Sequence, residues 1–462
     1  MPPAPPTLEP PTYRRVVRLA YPVVFSQLAA TLMGLTDILF MGWVSTDAQA
    51  GVGLGGIVCW TFGALFIGTL TVINTFVAQH VGAGTQDRCG GVVWSGLLLA
   101  IVFSALIELT APQVARLVRV FGPDPTVAAV ATTFAVIRVV GLPLALLETC
   151  LTSFLRGIGD TRTPMKVSFG MVALNVPLNF WLVFGGLGVP PLGPAGSAYA
   201  TVAANGAGVV VLFLLLLRRH ARRVYRTTSL ADVERRTLAS LLWVGLPIGV
   251  GWALEMVTWT IFTGFVSGLG ARPLAAHNIV LQMIHLSFMP GVALSVAATT
   301  LVGQHIGGGD AAGASRAGYH ALKLAIAYMG MMGLIFLVGG GLIATGFNRD
   351  PQVVRVARRL FVWAAAFQMF DATGMVSGGI LRGAGDTRYP MVASVLCAWL
   401  VFVPLIWLLG RRLGWGVDGS WAGATIYIIV VGLVLFARVR SGRWKSYSVT
   451  ERVEPAATSP RP

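Results

Sequence analysis

Of the 18 aspartates and glutamates in this 462-residue chain, only Asp37, Glu108, Glu148, Glu255 and Asp371 fall well inside apolar stretches. A carboxylate at bilayer depth costs about 2.5 to 3.5 kcal/mol on insertion scales, so one that persists there points to cation or proton handling. Asp37 has candidate companions. Asn175 and Asn179 stand one helical turn apart with Pro177 between them, and Thr201 offers a hydroxyl. Pro177 has no backbone N–H and so frees a carbonyl. A carboxylate, two amide oxygens, a carbonyl and a hydroxyl form a hard-oxygen set that suits Na⁺. The same Asp37 can instead exchange a proton. Paired asparagines also join membrane helices, so they carry weight only beside the acid. Glu255 and Asp371 form a second pair of candidates, for cation or substrate. Glu108 sits near the end of its apolar stretch, and Glu148 has no polar company. The chain's second half is rich in Trp and Met. Trp252, Met256, Trp259 and Met283 are candidate cavity residues for flat apolar cations, through stacking, cation–π contact and flexible thioethers.

Those residues need elements that hold them at depth. The chain is 55% hydrophobic and 11% charged, with mean hydropathy +0.75. A soluble protein carries about 25% charged residues, so most of this exterior must face lipid. The 56 glycines agree, since glycine lets membrane helices pack closely. A bilayer core needs roughly 20 apolar residues per helix. Twelve segments qualify, beginning near Arg15, Gln49, Gly91, Val130, Met165, Pro194, Leu238, Pro273, Ala317, Val356, Pro390 and Asp418. The runs are long and continuous rather than alternating with period two, which favours helices over a barrel. The fold class is therefore all-α and polytopic.

The net charge of +16 sits in short clusters between apolar runs, without the aromatic interleaving of a nucleic-acid groove. Lipid headgroups and topology account for it, and no nucleic acid partner is expected. With the N-terminus placed in the cytoplasm, 24 of the 34 Lys and Arg fall inside and nine outside, with Arg138 within a span. That bias puts both termini in the cytoplasm and the chain in the inner membrane. The Arg355 to Arg359 cluster runs against the rule. The four cysteines have no metal-ligand spacing and suggest no disulfide framework. The Pro-rich start does not read as a cleavable signal peptide.

An internal repeat organises the whole. Thr75-Phe-Val-Ala-Gln-His-Val-Gly-Ala-Gly84 recurs as Thr300-Leu-Val-Gly-Gln-His-Ile-Gly-Gly-Gly309, a shift of 225. Leu155-Arg-Gly-Ile-Gly-Asp-Thr-Arg-Thr-Pro-Met165 recurs as Leu381-Arg-Gly-Ala-Gly-Asp-Thr-Arg-Tyr-Pro-Met391, a shift of 226, and Pro22 recurs as Pro247. Two parallel six-helix halves follow, an arrangement suited to alternating access. The expected division is a disordered tail at 1–13, a first lobe at 14–217, a basic linker at 218–237, a second lobe at 238–440 and a disordered cytoplasmic tail at 441–462.

The repeat also separates scaffold from chemistry. The Leu-Arg-Gly-x-Gly-Asp-Thr-Arg loops lack the lysine of a P-loop. Their glycines end one helix, Asp160 or Asp386 caps the next, and Pro164 or Pro390 lies in its first turn. The repeated Gln79-His80 and Gln304-His305 pairs also read as scaffold. Asp37, Glu255 and Asp371 are different, because their counterparts are Phe262, Ala30 and Ala145. Asn175 and Asn179 likewise map to Val401 and Leu405.

The two loops, the Gln-His-x-Gly-x-Gly pairs and the twelve spans resemble the multidrug and toxic compound extrusion (MATE) family, its NorM-like branch in particular, from Arg14 to Arg440. The resemblance implies two lobes in a V and antiport, with Na⁺ or H⁺ entering as organic cations or drugs leave. It implies coupling at Asp37 with Asn175, Asn179 and Thr201, and cation or drug binding at Glu255 and Asp371. Membrane lipid is the expected surround, a monomer the expected state, and the coupling ion the only cofactor-like requirement. A lipid-linked oligosaccharide or lipid flippase of the wider superfamily is the alternative; it calls for a basic cavity, and only Arg138 is basic at mid-depth. An enzyme would need a catalytic constellation, and the sequence shows none.

Overall fold

A computed structural model describes residues 9–120, 122–186, 188–228 and 233–450. The expected tails and linker therefore lie partly outside the described residues: 1–8, 229–232 and 451–462. The first half holds α1 (Tyr13–Val44), α2 (Thr46–Leu70), α3 (Ile73–Gly82), α4 (Cys89–Thr110), α5 (Val114–Val120), α6 (Pro125–Val140) and α7 (Leu142–Gly157). It continues with α8 (Arg162–Phe184), α9 (Pro194–Leu216) and α10 (Arg219–Tyr225). The second half holds α11 (Arg235–Ser267), α12 (Ala271–Gly307), α13 (Ala311–Phe347), α14 (Pro351–Ala384), α15 (Arg388–Cys397), α16 (Val403–Leu405) and α17 (Gly416–Arg440). Two π-helical stretches, Ala398–Phe402 and Ile406–Arg412, join α15 and α16 into one rod around Pro404. Wider turns accommodate the hydrogen bond that a proline cannot make.

Among the described residues eleven helical stretches are long and apolar enough to cross a membrane, or twelve where α6 and α7, bent by 46°, count as one span. That bend falls at Gly141-Leu142-Pro143. Its counterpart, Phe367-Gln368-Met369, lacks the proline, and α14 runs through unbroken. The break between α2 and α3 has another cause. Thr69 and Thr71 turn their hydroxyls back to the carbonyls of Leu65 (2.7 Å) and Gly68 (2.6 Å), bonds that compete with the helix ladder.

The chain packs as two compact units: Phe25–Gly249 in the first, and Val250–Val449 with the stretch up to Val24 in the second. This differs from the boundaries 14–217 and 238–440. The opening turns of α1 belong to the second unit, and the opening turns of α11 to the first. Pro22 and Pro247 lie just before the two changeovers, where each removes a helix hydrogen bond. In the second unit Val16, Leu19, Ala20 and Val23, a stripe at helical spacing, are buried with Ala293, Leu301, Ala321, Val376 and Ile380. In the first unit Gly245 and Gly249 lie against the Leu65 and Thr69 carbonyls of α2, which leaves no room for a Cβ. The apolar stripe and the glycines draw each segment out of its own half.

The chain end departs from expectation as well. From Ser441 to Thr450 it is folded, with a 3₁₀ turn at Arg443–Ser446. Trp444 is 1% exposed within the second unit's core, and its indole N–H donates to the Val439 carbonyl at 2.8 Å. One buried tryptophan anchors a stretch whose average composition is polar.

Candidate functional site

In the first unit α1, α8 and α9 bring Asp37, Asn175, Asn179 and Thr201 together, all less than 5% exposed. Asn179 Nδ2 donates to Asp37 Oδ1 at 2.6 Å. The Thr201 hydroxyl faces both carboxylate oxygens, at 3.0 and 2.9 Å, and accepts from Asn175 Nδ2 at 3.0 Å. Asn175 Oδ1 and Asn179 Nδ2 stand 3.5 Å apart. The helical spacing of the two asparagines sets both amides on one face of α8, and Gly196 lets α9 approach by resting against the Leu182 carbonyl. Arg138 of α6 is a charged neighbour of Asp37, yet among the described residues no arginine lies within 4.0 Å of the carboxylate.

Among the described residues Asn179 Oδ1 has no partner at this cluster, nor has the Nε of neighbouring Arg138, and the Ser197 hydroxyl makes no hydrogen bond of ordinary geometry; all three atoms are buried. Ser197 is also among the polar neighbours of Asp37. Buried polar atoms are satisfied in most proteins, so an orphaned amide oxygen beside a carboxylate marks room for something electropositive. The oxygen set can receive a proton on Asp37 or surround a small cation. Sequence reasoning missed Ser197. It recurs, since Gly196-Ser197 matches Gly419-Ser420, and a filter for unrepeated residues discards it.

The equivalent place in the second unit has no carboxylate. Phe262 packs on His277, Phe402 and Trp421 with ring centroids 4.9, 5.4 and 5.8 Å away, all four residues at most 1% exposed. His277 Nε2 pairs with Thr263 Oγ1 at 3.3 Å. The unit's acids lie elsewhere. Glu255 on α11 is exposed, with the side chains of Trp259 and Arg382 among its polar and charged neighbours. Asp371 on α14, half-buried, is a charged neighbour of Glu255, and Tyr427 of α17 is near both. Tyr427 was also missed, because a tyrosine within an apolar span is not exceptional against its surroundings. Trp252, Glu255, Met256 and Trp259 occupy one face of α11, all at least partly exposed. Trp259 and Met283 pack on the edge of the Phe262 core; Trp252 and Met256 are not part of it.

The repeated motifs are mainly scaffold, with two departures. Asp160 Oδ1 accepts from Thr163 N at 3.0 Å, as a cap should. Asp386 does not cap α15; Arg438 holds its Oδ2 through Nε and Nη2, both at 2.9 Å. Arg438 exists in only one half, so the second loop gained an ion pair at the expense of its cap. The motif arginines also meet different acids: Arg156 has Glu148 as its charged neighbour, and Arg382 has Glu255. In the histidine pairs, His80 Nδ1 meets Thr85 Oγ1 at 2.9 Å, while His305 Nδ1 meets Asp310 Oδ2 at 3.0 Å. Asp310 also caps α13 by accepting from Gly313 N at 2.7 Å. That backbone bond, with His305 beside it, holds the Asp310 carboxyl below its ordinary range.

Comparison with known proteins follows this geometry. The MatE family profile matches residues 22–181 and again 247–408, starting each time at a repeated proline. The chain is 33% identical over 442 residues to the "Probable multidrug resistance protein NorM" of Burkholderia pseudomallei, covering 92% of this chain and 93% of the other. It is 30% identical over 445 residues to the "Multidrug resistance protein PmpM" of Pseudomonas aeruginosa, covering 93% and 92%. Among solved structures, an outward-facing multidrug resistance MATE family transporter of the MOP superfamily shares the fold with TM-score 0.86 at 20% identity, over 94% of this chain and 97% of that one. A Pyrococcus furiosus MOP superfamily transporter, whose reversed pocket polarity is taken to suggest a different function, matches at 0.84 and 20% identity over 97% and 98%. The chain belongs to the MatE family and is a multi-pass membrane transporter.

Proposed function

We propose that this MatE-family chain exports organic cations in exchange for Na⁺ or H⁺, with coupling at Asp37. The observation that carries the reading is a buried carboxylate with an orphaned amide oxygen beside it, in one unit of a repeat whose other unit is aromatic there. The fold alone does not choose the cargo, since similar scaffolds serve different functions. Names of the relatives, multidrug resistance proteins, support export of drugs.

The chemistry follows from the hydrogen bonds. As a carboxylate, Asp37 accepts from Asn179 and Thr201. Protonation makes one oxygen an O–H donor that needs an acceptor of its own and leaves the other as the better acceptor for Asn179 and Thr201. Na⁺ would draw on Asn179 Oδ1, which has no partner, and compete with the Asn179 and Thr201 donors for the carboxylate oxygens. Either event alters the bonds that hold α1 to α8 and α9. A shift between conformations then requires that ion and drug prefer opposite states, because equal affinity moves nothing. Glu255 and Asp371, with Trp252, Met256, Trp259 and Met283, supply charge and flat apolar contact for cationic cargo. The reading further places a monomer in the inner membrane with both termini cytoplasmic.

The test is ethidium efflux from proteoliposomes under an imposed Na⁺ or H⁺ gradient. Gradient-driven efflux should occur with the wild type and vanish with Asp37→Asn at matched reconstitution. Wild-type efflux from that variant would overturn the coupling role.

A further inference from the structure

Three guanidinium groups of the second unit have no partner among the described residues. Arg349, just before α14, and Arg355 and Arg358, within it at i and i+3, line an open pocket of about 540 Å³ with Thr345, Asn348 and Val354. All three arginines are exposed and make no ion pair or hydrogen bond. Their neighbours Arg272 and Arg359 are satisfied, by Asp350 and Asp418 at 3.0 Å each. Unscreened like charges repel, so a pocket of three cations favours an anion.

The cluster is neither a requirement of the fold nor a helix-terminus effect. Arg355 and Arg358 map to Ala129 and Thr132 in the other half. The Asp350 carboxylate already caps α14, accepting from Gln352 N at 2.8 Å. Arg358 instead reaches back across α13, its Cδ 3.6 Å from where a Cβ on Gly341 would stand. That contact steadies the stem and leaves the charged head at the pocket.

What lies beside the pocket identifies the anion. Val338 and Leu342 of α13 are 80% and 81% exposed, and Phe347 and Val362 are exposed as well. Their helices are long enough to span a bilayer. A cationic pocket at the end of the α13–α14 pair, beside an exposed aliphatic strip, is complementary to a charged headgroup with acyl chains. Guanidinium groups also suit phosphate oxygens, which they can hold in pairs. We propose that Arg349, Arg355 and Arg358 form a binding site for the phosphate headgroup of an anionic phospholipid. Free phosphate shares the headgroup chemistry but makes no use of the strip. The site also accounts for an arginine cluster that opposes the charge bias of the rest of the chain, because a bound lipid neutralises it.

Native mass spectrometry of the full chain in detergent, titrated with phosphatidylglycerol, phosphatidylcholine or inorganic phosphate, tests this. Phosphatidylglycerol should remain bound to the wild type, with affinity lowered at least about tenfold by combined Arg349→Gln, Arg355→Gln and Arg358→Gln. Phosphatidylcholine should not distinguish the two proteins, and inorganic phosphate should not displace the lipid. Arg222→Gln with Arg223→Gln, equally basic positions on α10, should leave the binding unchanged. Unaltered phosphatidylglycerol binding by the triple variant would overturn the site. Displacement by phosphate at concentrations similar to the lipid's would overturn the lipid as its occupant.

Discussion

At one position of the repeat, the first unit places Asp37 under Asn179 and Thr201, and the second places Phe262 against His277, Phe402 and Trp421. Both sites are buried and both draw on the first, fifth and sixth spans of their half, the second site adding His277 from its second span. The polar site has two chemically distinct states, because its donors must rearrange when the carboxylate is neutralised. The aromatic site has no carboxylate to neutralise: the rings of Phe262, Phe402 and Trp421 at van der Waals contact have no second set of partners, and its one ionisable group is His277, paired with Thr263. One backbone thus carries an ionisable polar cluster in one half and an aromatic core in the other. The difference lies in a few side chains rather than in the fold.

The largest expected effect tests whether that asymmetry is functional. Asp37→Asn should reduce gradient-driven ethidium efflux by about a hundredfold or more, while Phe262→Leu should leave it within about threefold. Equal losses would erase the distinction. Stability should reverse the order. Phe262→Ala, which leaves a cavity among four rings, should cost about 3 kcal/mol in reversible unfolding, and the nearly isosteric Asp37→Asn much less. Glu255→Gln or Asp371→Asn should slow efflux about tenfold without altering its preference for Na⁺ or H⁺, if ion coupling belongs to the first unit alone. A change in ion preference would divide coupling between the units.

Smaller effects sharpen the contrast. Ser197→Ala should raise the half-saturating concentration of the coupling ion by roughly three- to fivefold, the worth of one ordinary hydrogen bond. Ser420→Ala, its repeat mate, should not change it. The repeated histidines offer a last comparison, because only His305 has a carboxyl as its partner. Asp310 is held below its ordinary carboxyl range, chiefly by the Gly313 N–H. It therefore stabilises the fold above the unfolded carboxyl pKa, and the contribution fades as pH falls through the lowered folded value. Asp310→Ala should cost under about 1 kcal/mol near neutrality and flatten the acid limb of a melting-temperature profile. Thr85→Ala in the first unit should leave that limb unchanged.

Much of this architecture is legible in the amino-acid sequence, for a physical reason. Long apolar runs have few conformations available in lipid, so the spans begin within six residues of where hydropathy places them. Asp37, Asn175, Asn179 and Thr201 are legible because each polar group is exceptional against its surroundings, and helical spacing aligns the asparagines. Ser197 is hidden, because a repeated residue can keep its backbone role in both units and gain a chemical one in a single unit. Asp386 misleads in the opposite direction, since its fate depends on Arg438, far away in the chain. The unit boundaries are hidden for a subtler reason. Exchange of the opening turns of α1 and α11 leaves the hydropathy pattern of both halves unaltered.

That exchange has a bearing on biosynthesis. Val16, Leu19, Ala20 and Val23 are translated before the first unit, yet the side chains that bury them, from Ala293 onward, follow only after all of it. This stripe of α1 must wait, shielded by lipid or by the insertion machinery, until its partners in the second unit are translated. Neither half made alone carries all of its own interior. A gene cut at the linker should give functional product only when both fragments are produced in the same cell.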